Sequence, residues 1–180
     1  NIFFASKKNK LILNIFNKKI NLQDLKFSNF EIQNLECAIA CCLQLNINIK
    51  SIINILPKIK SPPGRSEVVN FNKISSKVIV DYAHTPDALK NILLANTIKN
   101  KKPSVVFGCG GGRDKFKRKI MGNIANKFAD KVIITDDNPR REDPKKIRLN
   151  IIKNCKNAQE IANRKEAIIK AINDLKQNSV

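Results

Sequence analysis

The chain has 180 residues, with 34 Lys+Arg against 15 Asp+Glu (formal net charge +19), five Cys, one His and no Trp. At 42% hydrophobic residues and only six Gly it is neither collagen-like nor disordered, and no apolar run approaches the roughly 18–20 residues that span a bilayer. The charge comes from 27 Lys scattered in runs of no more than two, beside 27 Ile and 24 Asn. These three residue types share A/T-rich codons, so base composition accounts for the charge and no specific nucleic-acid partner is expected.

Taken in chain order, residues 1–20 alternate short apolar bursts with Lys/Asn turns and predict strands at a hairpin edge. From about Glu31 to Leu45, Ile32, Leu35, Ile39 and Leu43 recur at helical spacing, and a second helix is expected over Ile49–Ile55. Ser61-Pro62-Pro63-Gly64 cannot continue a helix and marks a linker. The pattern then becomes strand, loop, helix. Strands are expected at Lys77–Asp81, Ser104–Phe107 and Lys131–Asp136. Helices follow: one opened by Thr85-Pro86 and running to about Lys99, one to about Ala129, one from Asp143-Pro144 to about Lys153, and a last from Arg164 to about Gln177. Three strands alternating with helices imply βαβ units in a parallel sheet, whose ligands sit beyond the carboxyl ends of the strands.

Three chemically unusual stretches fall at those ends. Asp81-Tyr82-Ala83-His84-Thr85-Pro86-Asp87 places a carboxylate and an imidazole before a helix N-terminus, which favours anions. Phe107-Gly108-Cys109-Gly110-Gly111-Gly112-Arg113 lets the backbone approach a ligand closely. It lacks the last Gly of a dinucleotide fingerprint and the Gly-Lys-Ser/Thr of a P-loop. Asp136-Asp137-Asn138-Pro139-Arg140 offers a stiffened loop and a planar guanidinium suited to a carboxylate. The bland alternatives are a satisfied turn, a floppy turn and a solvated charge run. The five cysteines lack a CxxC, are odd in number and accompany a single His, so reduced, packed thiols are expected rather than a zinc site or a disulfide framework.

In this order and spacing, Gly64-Arg65-Ser66-Glu67, DYAHTPDAL from Asp81, FGCGGGRDKFKR from Phe107 and TDDNPRREDP from Thr135 resemble the Mur ligase family, and within it the diaminopimelate-adding branch. The resemblance implies an α/β fold. A Rossmann-like C-terminal domain with a mostly parallel sheet would occupy residues 61–180, preceded at 1–60 by the tail of the central ATP-binding domain. It implies ATP-dependent amide-bond formation through an acyl phosphate, adding meso-diaminopimelate to UDP-MurNAc-L-Ala-D-Glu in a cytoplasmic, monomeric enzyme of peptidoglycan synthesis. By motif position, Arg65, Asp81 and His84 match nucleotide-contacting and catalytic residues, and Asn34 matches an adenine-side Asn. Arg113, Asp137, Asn138, Pro139 and Arg140 match the set that holds diaminopimelate. Diaminopimelate carries one carboxylate more than lysine, so a guanidinium at Arg140 would reject lysine by about 10⁴-fold.

Gly112 and Phe116 depart from the family pattern, as do Ser28 and Glu31 ahead of Asn34. The phosphate-binding loop and the ligands for Mg²⁺ are expected outside these 180 residues, as is a final segment of the amino-acid site. By itself the chain is expected to be inactive. The other readings open here are a lysine-adding Mur ligase and a non-catalytic nucleotide- or amino-acid-binding α/β module.

Overall fold

A computed structural model describes residues 2–7, 10–15, 18–22, 29–59, 61–70 and 76–175. The chain divides into two compact units, Asn1–Lys60 and Ser61–Val180.

The first unit opens with an antiparallel meander, β1 (Ile2–Lys7), β2 (Lys10–Ile15) and β3 (Lys18–Leu22), with Ile2 opposite Ile15 and Leu13 opposite Ile20. The sequence predicts a hairpin; the third strand completes a sheet of three. Two helices follow, α1 (Asn29–Gln44) and α2 (Ile49–Ile55). Asn46, at φ 59°, ends α1: its N–H reaches Leu43 O at 3.0 Å and Ile47 N–H reaches Cys42 O at 3.0 Å. That pair of bonds satisfies the last carbonyls, and Asn tolerates the left-handed turn. Asn48 caps α2 by accepting from Lys50 N. Leu13, Ile15, Ile39, Ile52 and Leu56 form the core, with Ile32, Leu35 and Leu43 packed against it. The helical period read in the sequence is the buried stripe.

The second unit begins with β4 (Glu67–Asn70) and β5 (Lys77–Val80), which pair antiparallel with Glu67 opposite Val80. Then come α3 (Pro86–Ala95), β6 (Val105–Phe107), α4 (Phe116–Phe128), β7 (Val132–Ile134), α5 (Pro144–Ile152), β8 (Ala158–Glu160) and α6 (Arg164–Asn173). β6, β7 and β8 form a parallel sheet in that order, with α4 and α5 as the two crossovers.

The α/β class stands, but the composition of the parallel sheet differs from expectation. Among the described residues the strand at 77–80 pairs with β4, and the third parallel strand is β8. A β-branched run states that a strand exists and says nothing of its partner's direction. β8 escaped because it is three residues long with Gln159 and Glu160 exposed, as edge strands often are. α3 also stops at Ala95, four residues early; Lys99 and Asn100 take positive φ and Ile98 bridges Lys101. α6 ends at Asn173, while its expected end at Gln177 lies outside the described residues.

Helix starts follow local chemistry. Thr85, Asp143 and Asn163 cap α3, α5 and α6 by accepting backbone N–H groups, and Pro86 and Pro144 occupy first positions whose N–H needs no partner. The core joins Leu89 and Leu93 of α3, Phe107 of β6, Met121 and Ala125 of α4, Val132 and Ile134 of β7, and Ile147 and Ile151 of α5. β7 is buried along its whole length, as the central strand of a sheet covered on both faces must be. α4 meets α5 closely at Gly122, where an added Cβ would overlap Ile151 O. The loops leaving β6 and β7 are thereby set on a packed parallel sheet.

Candidate functional site

At the end of β5, the antiparallel register places Ser66 opposite Asp81. Asp81 accepts from Ser66 N through Oδ2 and from Ala83 N through Oδ1, both at 2.8 Å. One carboxylate therefore pins the segment ahead of β4 to the loop after β5. The turn at Gly64 (φ 70°) and Ser66 (φ 47°) delivers Arg65, whose guanidinium lies 4.2 Å over the Tyr82 ring. A guanidinium stacked on an aromatic face keeps its in-plane donors free. Tyr82 meets His84 edge-on with ring centroids 5.0 Å apart, and His84 Nδ1 lies 3.2 Å from Tyr82 O. A proton on Nδ1 would serve that carbonyl and leave Nε2 available. From α4, Lys117 Nζ donates to His84 O at 2.9 Å.

The second cluster joins the glycine loop after β6 to the loop after β7. Gly111 N donates to Asn138 O at 2.9 Å, and Arg140 Nη1 donates to Gly111 O at 2.6 Å. Arg140 takes φ 50°, and its N–H donates to Asn138 Oδ1 at 3.2 Å. Asp137 accepts from Asn138 N at 2.8 Å. Gly111 is needed for space: a Cβ there would overlap Pro139 O and lie 2.7 Å from Pro139 C. Gly112, at φ 60°, donates its N–H to Glu142 Oε1 at 2.7 Å.

The residues singled out in the sequence fall into three groups. Arg65, Asp81 and His84 are brought together around Tyr82. Asp137, Asn138, Pro139 and Arg140 face the glycine loop, and Arg113, next in the chain to Gly112, is exposed with no hydrogen bond or ion pair to the described residues. Asn34 belongs to the first unit, exposed on α1.

Sequence reasoning missed two buried arginines. Arg118, 1% exposed, forms a fork with Glu142, Nη1 to Oε2 at 2.9 Å and Nη2 to Oε1 at 3.0 Å. Those bonds, followed by the one from Gly112 N, hold the Glu142 carboxyl down at about 2. Arg148 donates Nε to Glu160 Oε1 at 2.7 Å and Nη1 to Asp136 Oδ1, tying the ends of β7 and β8. The bond to Glu160 leads in raising its pKa above the ordinary arginine value, and burial opposes it. Helical spacing carried a signal for both. Arg118 precedes buried Met121, Gly122 and Ala125 at i+3, i+4 and i+7, and Arg148 lies between buried Ile147 and Ile151. Cys109 is the buried residue of the glycine loop, its thiol pushed up to about 11 by burial despite Lys117 and Arg118 nearby. Among the described residues no three His, Cys, Asp or Glu side chains gather as a metal-binding group, and no helix is long and apolar enough to cross a membrane.

The two loop clusters gather Arg65, Lys117 and Arg140 at the carboxyl ends of strands, the place where α/β units commonly take their ligands. The sequence model described as "Mur ligase, glutamate ligase domain" matches residues 64–180, and the chain belongs to the Mur ligase family. It is 47% identical over 174 residues to UDP-N-acetylmuramoyl-L-alanyl-D-glutamate--2,6-diaminopimelate ligase of Rickettsia typhi, an alignment covering 92% of this chain and 34% of that one. A solved structure of a ligase with the same name matches at TM-score 0.61 and 29% identity, over 99% of this chain and 37% of the other. A bifunctional folylpolyglutamate synthase/dihydrofolate synthase, solved with Mn, AMPPNP and L-glutamate, matches at TM-score 0.71 and 18% identity over 98% and 41%, a likeness of fold alone. The chain spans about a third of the length of the curated relatives it matches.

Proposed function

We propose that the chain supplies the amino-acid half, and part of the nucleotide half, of an ATP-dependent ligase that joins meso-diaminopimelate to UDP-MurNAc-L-Ala-D-Glu. Residues 61–180 would be its C-terminal domain and residues 1–60 the tail of its central domain, within a monomeric cytoplasmic enzyme. The observation that carries this reading is Arg140. Its backbone is held at φ 50°, Nη1 is anchored on Gly111 O, and Nε and Nη2 have no partner among the described residues. A guanidinium anchored by one nitrogen, with two others unpaired among the described residues, suits a carboxylate. Arg113, exposed and likewise without a partner among the described residues, provides the second cation.

The first cluster fits the nucleotide. Arg65 is oriented by Tyr82 and Lys117 bonds the carbonyl of His84, and among the described residues neither has an anionic partner, so both charges suit phosphates. Asp81 keeps lone pairs beyond its two backbone bonds, which suit ribose hydroxyls. When bound, ATP supplies the phosphoryl group that activates the muramoyl-dipeptide carboxylate as an acyl phosphate. Asn138, Asp137 and Pro139 shape the loop, while Arg113 and Arg140 hold the incoming amino acid by its carboxylates, so that its amine is oriented for attack. Among the described residues no three His, Cys, Asp or Glu side chains gather to hold Mg²⁺.

The test uses the complete gene product. ATP-dependent ligation of meso-diaminopimelate and of L-lysine to UDP-MurNAc-L-Ala-D-Glu is measured with and without Arg140→Ala. Diaminopimelate should be used and lysine refused, and kcat/KM for diaminopimelate should fall at least about 10²-fold in the variant, the loss expected when a charged partner in a built site is left unpaired. Equal use of lysine would overturn the role of Arg140. No ligation with either amino acid would overturn the ligase reading and favour a non-catalytic binding module.

A further inference from the structure

The two cations assigned to the incoming amino acid sit on different loops, and a single carboxylate ties those loops together. Glu142 follows Arg140 by two residues, and its N–H donates to Pro139 O at 3.0 Å. Its side chain leaves that loop, accepts from Gly112 N on the glycine loop at 2.7 Å, and receives both terminal nitrogens of Arg118 from α4. Arg118 Nη2 also lies 3.4 Å from Gly110 O. Lys115 contributes at most a loose contact, Nζ to Oε2 at 3.9 Å, from an exposed position.

A buried ion pair is seldom more stabilising than an apolar pair of the same volume. Its distinctive property is geometric, because a bidentate fork admits one in-plane arrangement. Here that arrangement is rooted in a helix packed against the sheet, and it reaches both loops that present cations.

We propose that Glu142 and Arg118 are a positioning pair that holds Arg140 and Arg113 in register for the carboxylates of the incoming amino acid, a role that rests on the ligase reading above. Neither side chain is a catalytic residue; both act through the loops they join. In Glu142→Gln an NH₂ group replaces one acceptor oxygen: at the Oε2 position one bond from Arg118 is lost, at the Oε1 position the bonds from both Arg118 Nη2 and Gly112 N, and a donor meets a donor at unchanged size.

The experiment measures steady-state kinetics of the complete gene product carrying Glu142→Gln, and separately Arg118→Lys, with thermal melting of each. Displacing a reacting group by about 1 Å costs on the order of 10²-fold in rate. The expected result is a rise of about 10-fold or more in KM for diaminopimelate in both variants, with KM for ATP within about twofold of the parent, consistent with rates set by positioning. Unchanged KM for diaminopimelate in either folded variant would overturn the proposal. So would parallel losses for ATP and diaminopimelate that track a lower melting temperature, since a merely structural pair has no reason to discriminate between them. An inactive parent enzyme would overturn the ligase reading instead, which separates the two failures. Should Glu142→Gln not fold, Arg118→Lys, which keeps the charge and loses the fork, decides by the same criterion.

Discussion

Gly111→Ala tests the glycine loop at its tightest point. The backbone of Gly111 is not in the left-handed region, so alanine is excluded by space rather than by conformation. The new Cβ would overlap Pro139 O, lie 2.7 Å from Pro139 C, and have Glu142 Cβ at 3.3 Å. The offending atoms are backbone and cannot rotate away, so the two loops must separate by on the order of 1 Å, the scale set by van der Waals contact in a packed interior. That separation stretches the 2.9 Å bond from Gly111 N to Asn138 O and the 2.6 Å bond from Arg140 Nη1 to Gly111 O. Overpacking costs typically about 1–3 kcal/mol, and weakening without breaking the two hydrogen bonds about 1 kcal/mol together. The sum, about 2–4 kcal/mol, corresponds to a fall in melting temperature of roughly 5–15 °C for a chain of this size. In the complete gene product kcat/KM for diaminopimelate should fall about 10²-fold, because Arg140 moves with the loop. Gly64→Ala is the control. It has φ 70° with nothing within 4 Å, so it costs about 1 kcal/mol through conformation alone. Calorimetry and steady-state kinetics are the assays. A Gly111→Ala protein melting within 2 °C of the parent, with kcat/KM within about twofold, would refute the reasoning.

Two further outcomes follow from the charges and thiols. Glu142 is held at about 2, below its ordinary 4.5, so the folded state binds fewer protons than the unfolded state between those values. The stability that Glu142 contributes is therefore complete above about pH 4.5 and is lost as pH falls towards 2, and Glu142→Gln should flatten that part of an acid-unfolding curve. Asp174, lowered chiefly by its bond to Lys170, contributes in the same sense and should leave a residual slope. In iodoacetamide labelling of the native chain at pH 8, exposed Cys37 and Cys41 should react first, and buried Cys109 and Cys155, both with raised pKa, only on unfolding. Modification of Cys109 at the rate of Cys37, read by peptide mass, would show that the glycine loop opens in the native state.

Much of this protein is set by local rules that the sequence states outright. Thr85-Pro86 and Asp143-Pro144 start helices because a side-chain acceptor and a missing N–H satisfy the first turn wherever it occurs. The apolar period of α1 names its buried face, and the order of the Arg65, Asp81, Gly111 and Arg140 motifs marks the Mur ligase family before any fold is seen. Pairing is a different matter. That β5 joins β4, and that the exposed residues Gln159 and Glu160 of β8 complete the parallel sheet, depends on which strand edges the packed helices leave open, a question no local pattern answers. The site divides in the same way. Arg140 is legible as a cation on a loop stiffened by Pro139. Arg118 on a helix and Glu142 in a charge run become a fork only when α4 packs beneath two loops that are 30 residues apart in the chain at Gly112 and Glu142. Packing that buries Arg118 and half-buries Glu142 turns those two ordinary surface residue types into a pair with a single geometry, and such packing is a property of the tertiary structure alone.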